Sequence, residues 1–298
     1  MWFKNLQVYR LTKPWELSPE ALDELLQQHA FAPCTDHQPA SYGWVSPLDS
    51  QNDDQAQTLV HAASGYIMLC ARQQEKIMPA GVINERLEEK LQHISTQEQR
   101  KPGRKEKLAL KEDIIFEMLP RAFSRSRKHY AYIDTKNDLL VINSSSESGA
   151  EQLINTLRDT IGSLPVVPLA GNSIPSQVMT HWLKQGCPQN ITLGADCELG
   201  DIQEKSSRIS CRGQNLLSDE ILSHLQGGMM VTRLGIEWKD RLSCVITDKL
   251  GIRRLKFTDV VQEEAGNADD KWQQFDNDFA IMTLELSDFL RNLAKAFQ

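Results

Sequence analysis

The sequence predicts an α+β fold in two lobes, and three observations carry that prediction. Strand-like runs and amphipathic helical runs are both frequent. They do not alternate in the strand–helix order of a parallel sheet. After residue 200, one helix is followed by three strands in succession, the pattern of an antiparallel meander. At 298 residues the chain can bury one large core or two modest ones. Its 40% hydrophobic and 24% charged content is ordinary for a soluble globular protein.

Residues 3–11 are rich in strand formers and predict a first strand. SPEALDELLQQHAF predicts a helix with Ser18 as N-cap and Pro19 at the first helical position. YGWVSP and GYIMLCARQ predict two further strands, the second mostly buried. A long helix starts near Pro79, with Ile83, Leu87, Leu91 and Ile94 as its apolar stripe. Pro102-Gly103 ends it, and a second helix covers about 104–119, with Leu108, Ile115 and Leu119 as its buried face and Pro120 as its stop. HYAYID, a TKND turn and LLVIN predict a hairpin over 129–143. A helix over 147–161, the short strand PVVPL and a loop-rich region over 171–200 follow. SSRISCRG, the helix SDEILSHLQ, the strands MMVTRLGIEW, RLSCVITD and IRRLKFTD, an acidic linker over 263–270 and a last helix ending NLAKAF complete the chain. The expected lobes are 1–168 and 169–298.

Charge is distributed unevenly. The formal net charge is −7, yet residues 100–128 hold ten Lys/Arg against four Asp/Glu, a local +6 that leaves −13 elsewhere. Such polarisation points to a basic surface for a polyanion on an acidic body. The spacing of Arg104, Lys107 and Lys111 puts them on one helix face. Arg86, Lys90, His93 and Lys101 lie near one azimuth of the preceding helix, diluted by Glu85, Glu88 and Glu89. EMLPRAFSRSRK then concentrates Arg121, Arg125, Arg127 and Lys128 around Phe123 after a helix-ending proline. The bland alternative is a solvated charged face. Phe123 has two readings: it folds back onto the core, or it anchors a partner subunit.

Other chemistry has little support. The six cysteines are scattered, without CxxC or a nearby histidine pair, and read as reduced thiols of an intracellular protein. No signal peptide or membrane span is expected. GxxxxGK[ST], GxGxxG after a strand, HExxH and GxSxG are all missing. The carboxylates Asp269, Asp270, Asp276 and Asp278 could serve a metal-dependent nuclease, but they sit in a polar stretch that reads as solvated charge. Zinc-finger, helix-turn-helix and RNP-like patterns are absent, so phosphate contact without base readout is expected.

WFKNLQVYRL, CARQQEKIMP, LPRAFSR, SLPVVPL and RLKF, spread from Trp2 to Phe257, resemble the bacterial recombination-associated RdgC family. The resemblance implies a ring-shaped homodimer whose basic hole admits duplex DNA, with single-stranded DNA kept open as a second ligand. It implies functional antagonism of RecA-type recombinase, association with the nucleoid in the cytoplasm, replication-fork repair, and no catalytic activity or cofactor. Matching positions assign phosphate contact to Lys76 and Arg121, with Arg100 in a similar helix end. Phe123 matches an aromatic suited to closing the ring. Gln214 falls at a projecting tip, where relatives are more basic than Arg212-Gly213 here. The charge pattern adds Lys101, Arg104, Lys107, Lys111, Arg125, Arg127 and Lys128 to the expected DNA-binding set. Two rival readings stay open: a regulator that contacts the recombinase directly, and a nuclease.

Overall fold

A computed structural model describes residues 1–48, 58–169, 173–201 and 207–297, and these form twelve strands and eight α-helices in two units. Unit 1 comprises Met1–Leu25, Ser46–Leu69 and Tyr130–Gln298; unit 2 comprises Leu26–Val45 and Cys70–His129. They are interleaved along the chain. Strands β4 (Tyr66–Lys76) and β5 (Ser124–Asp134) each pass from one unit into the other.

Unit 1 is built on an antiparallel run. In order it contains β6 (Leu139–Asn143), β1 (Leu6–Leu11), β12 (Ile252–Phe257), β11 (Leu242–Thr247), β10 (Met230–Trp238), β8 (Ile191–Gly200) and β9 (Arg208–Arg212). The short β7 (Val166–Pro168) also pairs with β1, β3 (Val60–Ala63) pairs with the start of β4, and residues 131–134 of β5 pair with β6. Leu6 lies opposite Ile252, which joins the first strand to the C-terminal meander. One sheet face is closed by α5 (Pro175–Gln185), α6 (Asp219–Gln226) and α8 (Lys271–Ala296). Helix α8 buries Phe275, Phe279, Met282, Leu286, Phe289, Leu290 and Leu293 at helical spacing. Its partners include Leu234, Ile246 and Trp238, whose ring meets Phe289 edge-on at 5.6 Å. On the other face α4 (Glu147–Ile161), capped by the Ser146 hydroxyl, places Glu147 and Glu151 near Tyr9.

Unit 2 is smaller. Its β2 (Ala40–Val45) pairs antiparallel with the second half of β4, from Ala40 opposite Glu75 to Val45 opposite Cys70. The preceding segment folds across β2: Phe31 N–H donates to Trp44 carbonyl at 2.8 Å, and Trp44 N–H donates to His29 carbonyl at 3.1 Å. Only glycine fits at Gly43, because a Cβ there would lie 2.6 Å from Phe31 Cα. Helices α2 (Ala80–Glu98) and α3 (Arg104–Met118) form a hairpin, followed by the 3-10 turn Leu119–Arg121 and β5. Ile83, Ile114 and Leu119 are its buried apolar residues.

Most expected elements form, including α1 (Pro19–Gln27), where the Ser18 hydroxyl accepts from Ala21 N–H. Several details differ. The loop expected over 171–200 contains α5 and β8, although 171 and 172 lie outside the described residues. Helix α7 (Asp259–Glu264) takes up the start of the acidic linker. Leu108 does not belong to the buried face of α3: it is 62% exposed, and Ile114 is the buried residue. The hairpin strand begins at Ser124, not at His129.

Candidate nucleic-acid interface

All but one of the expected DNA-contacting residues fall within unit 2. Arg104, Lys107 and Lys111 are exposed along α3. Arg121 is exposed in the 3-10 turn, and Arg127 is exposed on β5. Among the described residues these five make no ion pair, so their charges face solvent. Lys101 is also exposed, but it lies beyond the end of α2 and so cannot share that helix's face. Lys76 is half-buried at the end of β4, with its N–H on Pro39 carbonyl at 2.8 Å.

Two arginines are held by carboxylates. The Arg100 guanidinium donates to both oxygens of Glu106 at 2.7 Å and to Glu98 at 2.6 Å. The hydrogen bonds to Glu106, then those to Glu98, raise its pKa further, and the same contact lowers that of Glu106. Arg125 lies 3.6 Å from Glu75. On α2, Lys90 is similarly engaged, 3.0 Å from Glu117 of α3, and this pair ties the hairpin together.

The strand conformation of SRSRKH changes how its charges are displayed. Successive side chains point to opposite faces, so Arg125 and Arg127 share one face and Lys128 takes the other. His129 follows on the face of Arg127. Burial, and then Arg127, lower its pKa against an opposing effect from Glu75, so the imidazole is neutral at pH 7.

Phe123 does not fold onto the core. It is 85% exposed, and its carbonyl accepts from Ile77 N–H at 2.7 Å, fixing the backbone that presents the ring. Beside it is an open hollow of about 520 Å³ lined by Ile77, Arg86, Met118, Ala122, Arg121 and Glu117. Apolar and cationic groups therefore meet in one place, with Ile77 joining Arg86, Arg121 and Phe123, which the sequence singled out. Gln214 lies in unit 1, exposed in the turn after β9, where its N–H donates to Ala195 carbonyl at 3.1 Å.

A second cationic group in unit 1 escaped the sequence reading: Arg208, Arg212, Arg233, Arg254 and Lys256. These residues are dispersed over some fifty positions and gather only through strand pairing. Three of the four carboxylates considered for a nuclease have other partners. Asp270 caps α8 through Trp272 N–H, Asp276 lies 3.0 Å from His61, and Asp278 pairs with the Met1 amine. Among the described residues, no cluster of three or more His, Cys, Asp or Glu could hold a metal ion, and no helix is long and apolar enough to cross a membrane.

Residues 1–298 match a family model described as "Putative exonuclease, RdgC". The chain is 41% identical to the recombination-associated protein RdgC of Aeromonas hydrophila, over 99% of this chain and 97% of the relative. Identity to the proteins of that name from Serratia proteamaculans and Tolumonas auensis is 39% and 40%, with coverage of 99% of this chain and 97% and 98% of theirs. Full-length matches at this identity carry the same conclusion as the sequence motifs: the chain belongs to the RdgC family of recombination-associated proteins.

Proposed function

We propose that this protein binds duplex DNA without sequence preference, acts as a homodimer closed around the duplex, and restrains a RecA-type recombinase during recombination and replication-fork repair at the nucleoid. One observation supports the DNA-binding part most directly. Arg104, Lys107, Lys111, Arg121 and Arg127 are exposed in one small unit and, among the described residues, lack carboxylate partners. Cations free of internal partners can displace the counterions of a phosphate backbone, whereas paired ones must first break an ion pair. The family's association with recombination fits a polyanion ligand, and the exposed Phe123 suits a contact between subunits.

The test is duplex binding by the purified protein alone, titrated in salt. With about six phosphates neutralised, affinity falls on the order of a thousandfold between 50 and 200 mM salt. A flat salt response overturns the electrostatic reading. A duplex shift seen only when recombinase is added favours direct protein contact as the mode of action. Degradation of linear duplex from its ends in magnesium or manganese would instead support the exonuclease description of the family model.

A further inference from the structure

Unit 1 carries its own candidate seat for a polyanion. We propose that the sheet face around Gly194, Gly235 and Arg254 receives the phosphodiester backbone of DNA, with Asp196 as a built-in competitor for the guanidinium; this rests on the DNA-binding reading above.

Strand register places the residues on one face. Glu237 lies opposite Ser243, and Ser243 lies opposite Lys256. Asp196 lies opposite Arg212, and Glu198 lies opposite both Ser210 and Arg233. Residues directly opposite across antiparallel strands project to the same side. The face is also irregular at this spot. Pairing of β8 with β10 shifts register between Val231 and Arg233 and again between Leu234 and Ile236, while β11 with β12 shifts between Ser243 and Val245.

These irregularities leave backbone uncovered. A Cβ on Gly194 would lie 3.0 Å from the Gly235 carbonyl carbon, and one on Gly235 would lie 3.0 Å from the Asp196 carbonyl oxygen. Two facing glycines thus floor a depression of about 210 Å³. Glycine in a strand interior marks a place where another group can come close to the backbone. At the rim, Arg254 adopts φ 50°, a left-handed conformation that is costly for a non-glycine residue, and Asn5 Oδ1 accepts its N–H at 3.2 Å. A bulge of this kind re-aims a side chain.

The electrostatics suit a ligand that exchanges with internal carboxylates. Arg254 is 2.8 Å from Asp196, while Glu198 is shared between Arg208 at 3.0 Å and Arg233 at 3.6 Å. Arg212 and Lys256 are exposed and, among the described residues, make no ion pair. With Glu237, three carboxylates therefore face five cations, and a positive excess remains. The turn carrying Gln214 adjoins the depression: Gly213 N–H donates to Asp196 Oδ1 at 3.1 Å, and Gln214 lines a neighbouring hollow with Gly194, Ala195 and Glu237. Gln214 would then contact DNA at the edge of this seat.

Duplex-binding titrations on the full-length protein decide the matter, comparing wild type, Asp196→Asn and the double variant Arg254→Ala/Lys256→Ala. Asp196→Asn removes the charge but keeps the Oδ1 acceptor for Gly213 N–H, so the turn is preserved. Releasing Arg254 is expected to tighten binding several-fold, an outcome that a purely structural role for Asp196 does not produce. The double variant is expected to lose roughly tenfold in affinity and at least one unit of salt slope, the unit that the unpaired Lys256 contributes. If wild type binds duplex while both variants match it, the seat is refuted and the general reading stands. If wild type fails to bind duplex at all, both fall. Should the double variant unfold, Asp196→Asn alone decides.

Discussion

Exposure and pairing separate residues that look alike in the sequence. Arg100 and Arg121 are both arginines near helix ends, but Glu98 and Glu106 hold the first while the second is open to solvent. Arg121→Ala is therefore expected to weaken binding to all duplex sequences alike and to lower the salt slope by about one. Arg100→Ala is expected to do markedly less in the same titration. His61 supports a pH prediction. Burial lowers its pKa in the folded protein, outweighing Asp276, which is half-exposed and screened by solvent. The unfolded chain then binds the proton more tightly, so stability is retained above the ordinary histidine pKa near 6.5 and falls as pH drops through and below it. Denaturant melts between pH 7.5 and 5.5 should show this slope, and His61→Gln should flatten it.

At the scale of elements, the local sequence signals held wherever burial follows a simple period. Ser18 and Ser146 cap their helices, and α8 buries one continuous stripe. The signal failed where tertiary pairing overrode composition. ITLGADCELG, with two glycines and three acidic or polar side chains, has little strand propensity, yet it forms β8 because β10 and β9 flank it. SRSRKH offers no apolar alternation, yet it continues the strand that HYAYID anchors. Helix α3 has no clean apolar stripe, and a single residue, Ile114, is fully buried in it. Ile114→Ala should cost about 2–5 kcal/mol locally. Hydrogen exchange should report faster opening of residues 80–118, with protection of α8 unchanged if unit 2 has its own core.

For the whole molecule, the question is how an acidic chain presents positive charge. Residues 100–128 carry +6 and lie in one compact unit, whereas the cations of unit 1 come together only by register. The exposed Phe123 is a liability for an isolated subunit and an asset at an interface. Phe123→Ser should leave the fold intact and weaken self-association, seen as a smaller sedimentation coefficient at low concentration. Unchanged sedimentation would remove Phe123 from the subunit contact.

The sequence by itself determined the mixed α+β class, most element positions, the family and the polarised charge, because these depend on local periodicity, capping and contiguous residues. It also located Phe123 and Arg121. Tertiary structure alone decided that Phe123 is exposed, that Arg100 is occupied by carboxylates, and that Arg254 and Lys256 stand beside a glycine floor. Those outcomes depend on which strands pair and in what register, and pairing between residues as distant as Leu6 and Ile252 leaves no mark in either segment.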